Sequence, residues 1–171
     1  MLYLVHILFM TTDQGYIILG LDPGYGRMGF GVVYVSSGNV ELVDYGVAVT
    51  VTGDAFESRL LSLANDLHAL FEHHRPHVVA VEKLFFGKSS TTAMKVAEAR
   101  GVAMLMAAQA GASVFEFTPA QIKKALTGDG KASKAGMQKM VKEVLQLPQI
   151  PKPDDAADAL AVAIVAANKK W

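Results

Sequence analysis

Asp22, Glu82, Asp155 and Asp158 are the side chains of this sequence best able to do chemistry together. Asp22 closes the apolar run Ile17-Ile18-Leu19-Gly20-Leu21 just before Pro23-Gly24. Glu82 closes Val78-Val79-Ala80-Val81, and a carboxylate in such a run is almost never buried without a partner or a metal. Asp155 and Asp158 stand at i and i+3 on an Ala-rich helical stretch, so both face one direction. Each acid alone has a plain structural reading. Asp22 could be a turn former, and Asp155 could serve a helix N-terminus for which Asp154 is a natural N-cap. Capping does not explain Asp158, which lies deeper on an apolar helix. Four acids without His or Cys form a hard-oxygen donor set suited to Mg²⁺ or Mn²⁺. Two such ions ~4 Å apart can activate water and stabilise the leaving oxygen in phosphodiester hydrolysis.

The elements that must position these acids follow from periodicity. Residues 17–22, 29–35 and 40–51 read as strands, with Ser36-Ser37-Gly38-Asn39 as a hairpin turn between the second and third. Phe56, Leu60, Leu63, Ala64, Leu67 and Phe71 recur at helical spacing, which predicts an amphipathic helix over 55–74, ended by Arg75-Pro76. Residues 78–82 are a short strand of the doubly buried, parallel kind. Residues 90–110 predict a second long helix, apolar around most of its circumference, which requires two packing partners: its own sheet and one more, for which a second subunit is a candidate. A strand at 114–117, a helix at 119–126 capped by Thr118-Pro119, a loop at 127–134 and a helix to about 147 follow. Pro148, Pro151 and Pro153 form a stiff linker into a final helix over 154–168. A meander followed by parallel βαβ units predicts an α/β fold: a mixed five-stranded sheet with helices on both faces, the ribonuclease H-like arrangement.

Other constellations are weaker. Gly24, Gly26 and Gly29 satisfy G-x-G-x-x-G, but a strand rather than a helix follows, so these glycines serve a tight turn and close backbone approach. His68, His73, His74 and His77 crowd the end of the first helix, where a solvated helix end is favoured over metal binding. Phe85 and Phe86 follow the Glu82 strand, among Lys83, Lys88 and the hydroxyl run Ser89-Ser90-Thr91-Thr92. Aromatics in that company can stack on unpaired bases while the cations hold phosphates; Phe85 is expected to be exposed and Phe86 buried. Lys123, Lys124, Lys131 and Lys134 flank the glycine-containing loop as mobile phosphate contacts or electrostatic catalysts.

Bulk numbers set the frame. The 171 residues fit one domain, and 51% hydrophobic content hints at a buried subunit interface. The sequence contains no cysteine, which excludes disulfides and Cys-based zinc sites and is compatible with a reducing cytoplasm. Net charge is zero, yet residues 83–142 carry ten Lys/Arg against three Asp/Glu, while residues 1–82 carry three against nine. A cationic surface beside a carboxylate site suits a polyanionic substrate. Residues 1–15 begin with the apolar MLYLVHILFM, short of the about 18 residues that a bilayer span needs, and are expected to be an extension arising from an early start site, with a packing or partner-binding arm as the alternative. Residues 16–171 are expected to form the single folded domain.

Together these residues resemble the RuvC family of Holliday-junction resolvases. The resemblance runs from about Ile17 to Ala167. It rests on Leu19-Gly20-Leu21-Asp22-Pro23-Gly24, on Glu82 followed by Leu84-Phe85-Phe86, on Ala97-Glu98-Ala99-Arg100-Gly101-Val102, on Pro119-Ala120-Gln121-Ile122-Lys123-Lys124 and on Asp155-Ala156-Ala157-Asp158-Ala159-Leu160-Ala161. It implies a homodimeric, bacterial cytoplasmic DNA endonuclease holding two Mg²⁺ per subunit, with Mn²⁺ as a substitute. Asp22, Glu82, Asp155 and Asp158 fall on the family's metal-binding acids, Phe85 on its junction-stacking aromatic, and Lys123 and Lys134 on its basic catalytic or DNA-binding positions. The implied substrate is four-way junction DNA, nicked symmetrically to leave 5′-phosphate and 3′-hydroxyl ends, and the implied partner is a RuvA–RuvB branch-migration motor. The rivals are a sugar kinase or actin-like ATPase, which needs two such lobes, a catalytically silent junction binder, which would lack the acids, and a related nuclease acting on RNA.

Overall fold

The computed structural model describes residues 15–84 and 90–169. Strands β1 (Tyr16–Asp22), β2 (Arg27–Ser36) and β3 (Asn39–Val49) form an antiparallel meander. Ser37 and Gly38 close the second hairpin with positive φ of 51° and 82°, the left-handed pair whose twist matches that of the strands it joins. Helix α1 (Phe56–His74) crosses to β4 (Val78–Glu82), and α2 (Ser90–Gln109) crosses to β5 (Ser113–Phe117). Both of these strands run parallel to β1, giving the sheet order β3-β2-β1-β4-β5. Helices α3 (Pro119–Thr127), α4 (Lys134–Val144) and α5 (Asp154–Ala167) follow. This is the ribonuclease H-like arrangement expected from the sequence.

Strand alternation divides the core into two layers. Ile18, Val33, Val78 and Ala80 point to one face and pack with Ile122, Met137, Val141, Leu160 and Ile164 of α3, α4 and α5. Leu19, Leu21, Val32, Val79 and Val81 point to the other and pack with Leu63, Leu67 and Phe71 of α1 and Ala99, Ala103 and Ala107 of α2. Helix α5 lies unusually close to the sheet. A Cβ on Gly20 would stand 2.2 Å from the Ala159 carbonyl oxygen, and one on Gly29 would stand 2.0 Å from that of Asp155. Glycine at these strand positions is what admits the helix.

Several boundaries differ from expectation for identifiable reasons. β3 stops at Val49 rather than 51, because its partner β2 begins at Arg27, the residue paired with Val49. α4 stops at Val144, where Leu145 turns into the core and Gln146 takes a φ of 52°. α1 ends as expected, on Arg75 in the left-handed region. α2 buries its alanine stripe, while Met94 and Leu105 on its outer surface are 61% and 58% exposed. Residues 1–14, on which the expected extension rests, lie outside the described residues. Among the described residues, no helix is long and apolar enough to cross a membrane.

Candidate active site

The alternation that builds the core also aims the first two acids. Asp22 follows Ile18 and Gly20 in the β1 repeat, and Glu82 follows Val78 and Ala80 in that of β4, so both face the α5 layer. The parallel register pairs Leu21 with Val81, placing Asp22 and Glu82 side by side one step beyond, at the carboxyl ends of adjacent strands. On β5 the partner of Glu82 is Phe117, after which Thr118 caps α3 with a reciprocal capping box to Gln121. The close approach at Gly29 brings the first turns of α5, with Asp155 and Asp158, against the same strand ends.

The four charges interact. Asp22 is pushed up to about 7, first by burial and then by the charges of Asp158, Glu82 and Asp155. Glu82 is raised as well, by burial and by Asp158, with Lys123 opposing. The helix acids are instead paired with cations. Lys134 Nζ donates to Asp154 Oδ2 at 2.7 Å and lies 2.9 Å from Asp158 Oδ2, and Arg27 Nη2 lies 2.8 Å from Asp155 Oδ2. Hydrogen bonds to Asp154 and Asp158 raise the Lys134 pKa further, so it remains an ammonium ion. A cavity of about 290 Å³ opens here, lined by Glu82, Asp158, Lys123, Lys134, Pro119 and Met137 among others.

As a donor set, four mutually repelling carboxylates with no sulfur or imidazole fit a hard divalent cation. Among the described residues, no three acid or histidine side chains stand close enough to hold an ion as they are. Asp158 is turned onto Lys134 and Asp155 onto Arg27, so the acids share one locality without forming a finished cage.

The remaining expected residues separate. Lys83 is exposed, its backbone N–H donating to the Phe117 carbonyl at 2.8 Å. Lys124 lines a neighbouring groove with Phe117, Gln121 and Lys169. Lys131 is exposed on the loop, where its N–H donates to Asp129. Phe85, Phe86 and Lys88 lie outside the described residues. Asp154 is not the N-cap of α5; Pro153 is, and the Asp154 carboxylate is drawn instead to Lys134. Nor is the histidine cluster simply a solvated helix end. The His74 side chain is only 7% exposed and lies 3.1 Å from Asp44, and His77 Nδ1 accepts from the Ile17 N–H. Sequence reasoning missed Arg27, although the β1–β2 hairpin necessarily returns its first residues beside Asp22. It also missed the brace on the turn after Asp22. There the buried Thr50 hydroxyl donates to the Tyr25 carbonyl at 2.7 Å and accepts from Arg59 Nε at 2.9 Å.

A family model described as crossover junction endodeoxyribonuclease RuvC matches residues 18–166. The chain belongs to the RuvC family. It is 48% identical over 152 residues to the crossover junction endodeoxyribonuclease RuvC of Ruminiclostridium cellulolyticum, covering 89% of this chain and 92% of that one. The Roseiflexus sp. RuvC is 52% identical over 146 residues, covering 85% and 87%. Among solved structures, Thermus thermophilus RuvC in complex with a Holliday junction substrate superposes with a TM-score of 0.84 at 34% identity, over 89% of this chain and 93% of that one. The RuvC match spans all four acids as well as Arg27, Lys123 and Lys134.

Proposed function

We propose that this protein resolves Holliday junctions: a crossover junction endodeoxyribonuclease that binds four-way DNA and hydrolyses one phosphodiester in each of two strands of like polarity. The convergence of Asp22, Glu82, Asp155 and Asp158 at one end of the sheet, beside the cationic Lys123 and Lys134, carries the reading in a RuvC-family chain. Asp22, Glu82, Asp155 and Asp158 would hold two Mg²⁺ ions, with Mn²⁺ as a substitute. When bound, such ions supply Lewis acidity, lowering the pKa of water and easing charge on the leaving oxygen.

The protein's own residues do the rest. Lys134, kept protonated by its acidic neighbours, is a fixed positive charge for non-bridging phosphate oxygens rather than a proton acceptor. Lys123 extends that field along the cavity. Lys83, Lys88, Lys124 and Lys131 hold the backbone of the arms, a contribution that weakens with salt. Phe85, which follows the Glu82 strand, is assigned to stacking on bases opened at the crossover, with Phe86 supporting it from the core side. Two sites acting on one junction require a homodimer, and the exposed Met94 and Leu105 on α2 support that helix as its contact. The products carry 5′-phosphate and 3′-hydroxyl ends, and a RuvA–RuvB motor supplies junctions in the bacterial cytoplasm.

The test is cleavage of a labelled synthetic four-way junction beside matched linear duplex, with Mg²⁺ and with EDTA. Paired symmetric nicks are expected in the junction alone, abolished by EDTA. Asp22→Asn should bind the junction and cut it on the order of 10³-fold more slowly, since several kcal/mol of charge stabilisation is removed. Equal cutting of the duplex, or Mg²⁺-dependent cutting by the variant at the wild-type rate, would overturn the reading.

A further inference from the structure

We propose that Arg27 is a built-in counter-ion that competes with divalent cations for Asp155, so that metal loading at this site is an exchange of internal for external cations. The inference rests on the metal-site reading above and concerns a residue to which that reading gives no role. Arg27 opens β2, five residues after Asp22. The antiparallel register sets its strand beside β1, and two residues later Gly29 touches the backbone of Asp155. The Arg27 side chain therefore lies over the first turn of α5, where its Nη2 meets Asp155 Oδ2 at 2.8 Å. Lys134 does the same one turn along, at Asp154 and Asp158.

Three features make this pair a competitor rather than a fixed brace. A guanidinium stays charged at every working pH, so loss of its proton never clears it from the carboxylate. The Arg27 side chain is 51% exposed and can swing into solvent, leaving Asp155, 28% exposed at the first turn of α5, to a cation that replaces it. The described acids and histidines do not form a ready cage, and two of the four proposed ligands are turned toward cations of the chain itself. An ion entering the site must take Asp155 from Arg27, so the pair weakens metal affinity by the strength of a half-exposed ion pair.

The experiment counts free Mn²⁺ by its room-temperature EPR signal over metal-stripped wild type, Arg27→Gln, Arg27→Lys and Asp22→Asn, at low and at high salt. Arg27→Gln is expected to bind Mn²⁺ roughly twofold to fivefold more tightly than wild type, with Arg27→Lys between them. The gap should narrow at high salt, where the pair is screened in the wild type too. Asp22→Asn should lose most of the binding. Should Asp22→Asn bind like wild type, the metal-site reading itself fails. Should it lose binding while Arg27→Gln binds equally or more weakly, the site stands and Arg27 is a positioning brace for Asp155, which overturns the proposal.

Discussion

Two of the site's acids come from strands and two from a helix, and the protein treats the pairs differently. Among the described residues neither Asp22 nor Glu82 forms an ion pair, and both carboxyls are raised by burial before any neighbouring charge acts. Asp155 and Asp158 sit at a helix N-terminus, where backbone N–H groups favour negative charge, and each also has a cation of its own. The difference follows from the elements. A strand end in the middle of a sheet is walled in by neighbours on both sides, whereas the first turn of a helix keeps one side open for long basic side chains. On the proposed reading, the strand acids would supply most of the demand for a divalent ion, and the helix acids would supply ligands that Arg27 and Lys134 hold in its absence.

That contrast breaks first at Asp22. Its folded pKa of about 7 exceeds the ordinary 3.8, so between those values the folded state binds more proton than the unfolded one. Metal-free stability should accordingly fall as pH rises from about 4 to about 7 and then level off. Asp22→Asn removes the penalty and should stabilise the EDTA-treated protein at pH 8 by at most about 4 kcal/mol, with no gain at pH 4. Asp155→Asn, which leaves Arg27 without its partner, should give no such gain. Thermal melts of both variants at the two pH values, with and without Mg²⁺, decide it; equal responses would erase the distinction between the pairs. Mg²⁺ should raise the wild-type melting temperature at pH 8 and leave that of Asp22→Asn nearly unmoved.

The second way to break the contrast is to separate the pairs in space. A Cβ at Gly29 would meet the Asp155 carbonyl oxygen at 2.0 Å, a backbone contact that cannot relax by rotating a side chain. Gly29→Ala should cost roughly 1–3 kcal/mol in chemical denaturation by pushing α5 off the sheet. The raised pKa of Asp22 should drop with it, because Asp155 and Asp158 would withdraw. Unchanged stability would mean that the helix seats itself without the glycine.

Much of this architecture is legible in the sequence. The strands ending in Asp22 and Glu82 were legible because runs of five and four residues, apolar but for Gly20 and entered just after Gly15 and Pro76, leave little choice, and period-two alternation then fixes which face each acid takes. The mixed character of the sheet followed from the change between hairpin and helical connections, whereas the strand order came only with the fold. Arg27 was not legible as a partner of Asp155, because that contact joins residues more than a hundred positions apart through the seating of α5. Asp154 was misassigned for a related reason: local preference made it a cap, and a lysine from α4 overrode the preference. His74 looked like one of four solvated histidines until the fold laid Asp44 of β3 against it.

The smallest effect concerns what holds the strand side of the site still. Asp22 is followed by Pro23-Gly24-Tyr25-Gly26, a turn that could let the carboxylate wander, yet Tyr25 is fastened from the opposite layer. Thr50 donates its hydroxyl to the Tyr25 carbonyl and its N–H to that of Gly26, at 2.7 and 3.1 Å. Arg59 of α1 donates to Thr50 Oγ1 and lies 4.8 Å from the centre of the Tyr25 ring. The helix acids are held otherwise, by a helix buried against the sheet and by their ion pairs with Arg27 and Lys134. Arg59→Ala should therefore cost about 1 kcal/mol of stability, the worth of an ordinary hydrogen bond, while leaving Thr50 its carbonyl acceptor. Its effect should fall on the strand pair alone, as a modest drop in cleavage rate with Mn²⁺ affinity changed less than about twofold (on the order of 0.4 kcal/mol). A variant that lost metal binding as completely as Asp22→Asn would mean that the brace, and not the strand, positions the acid.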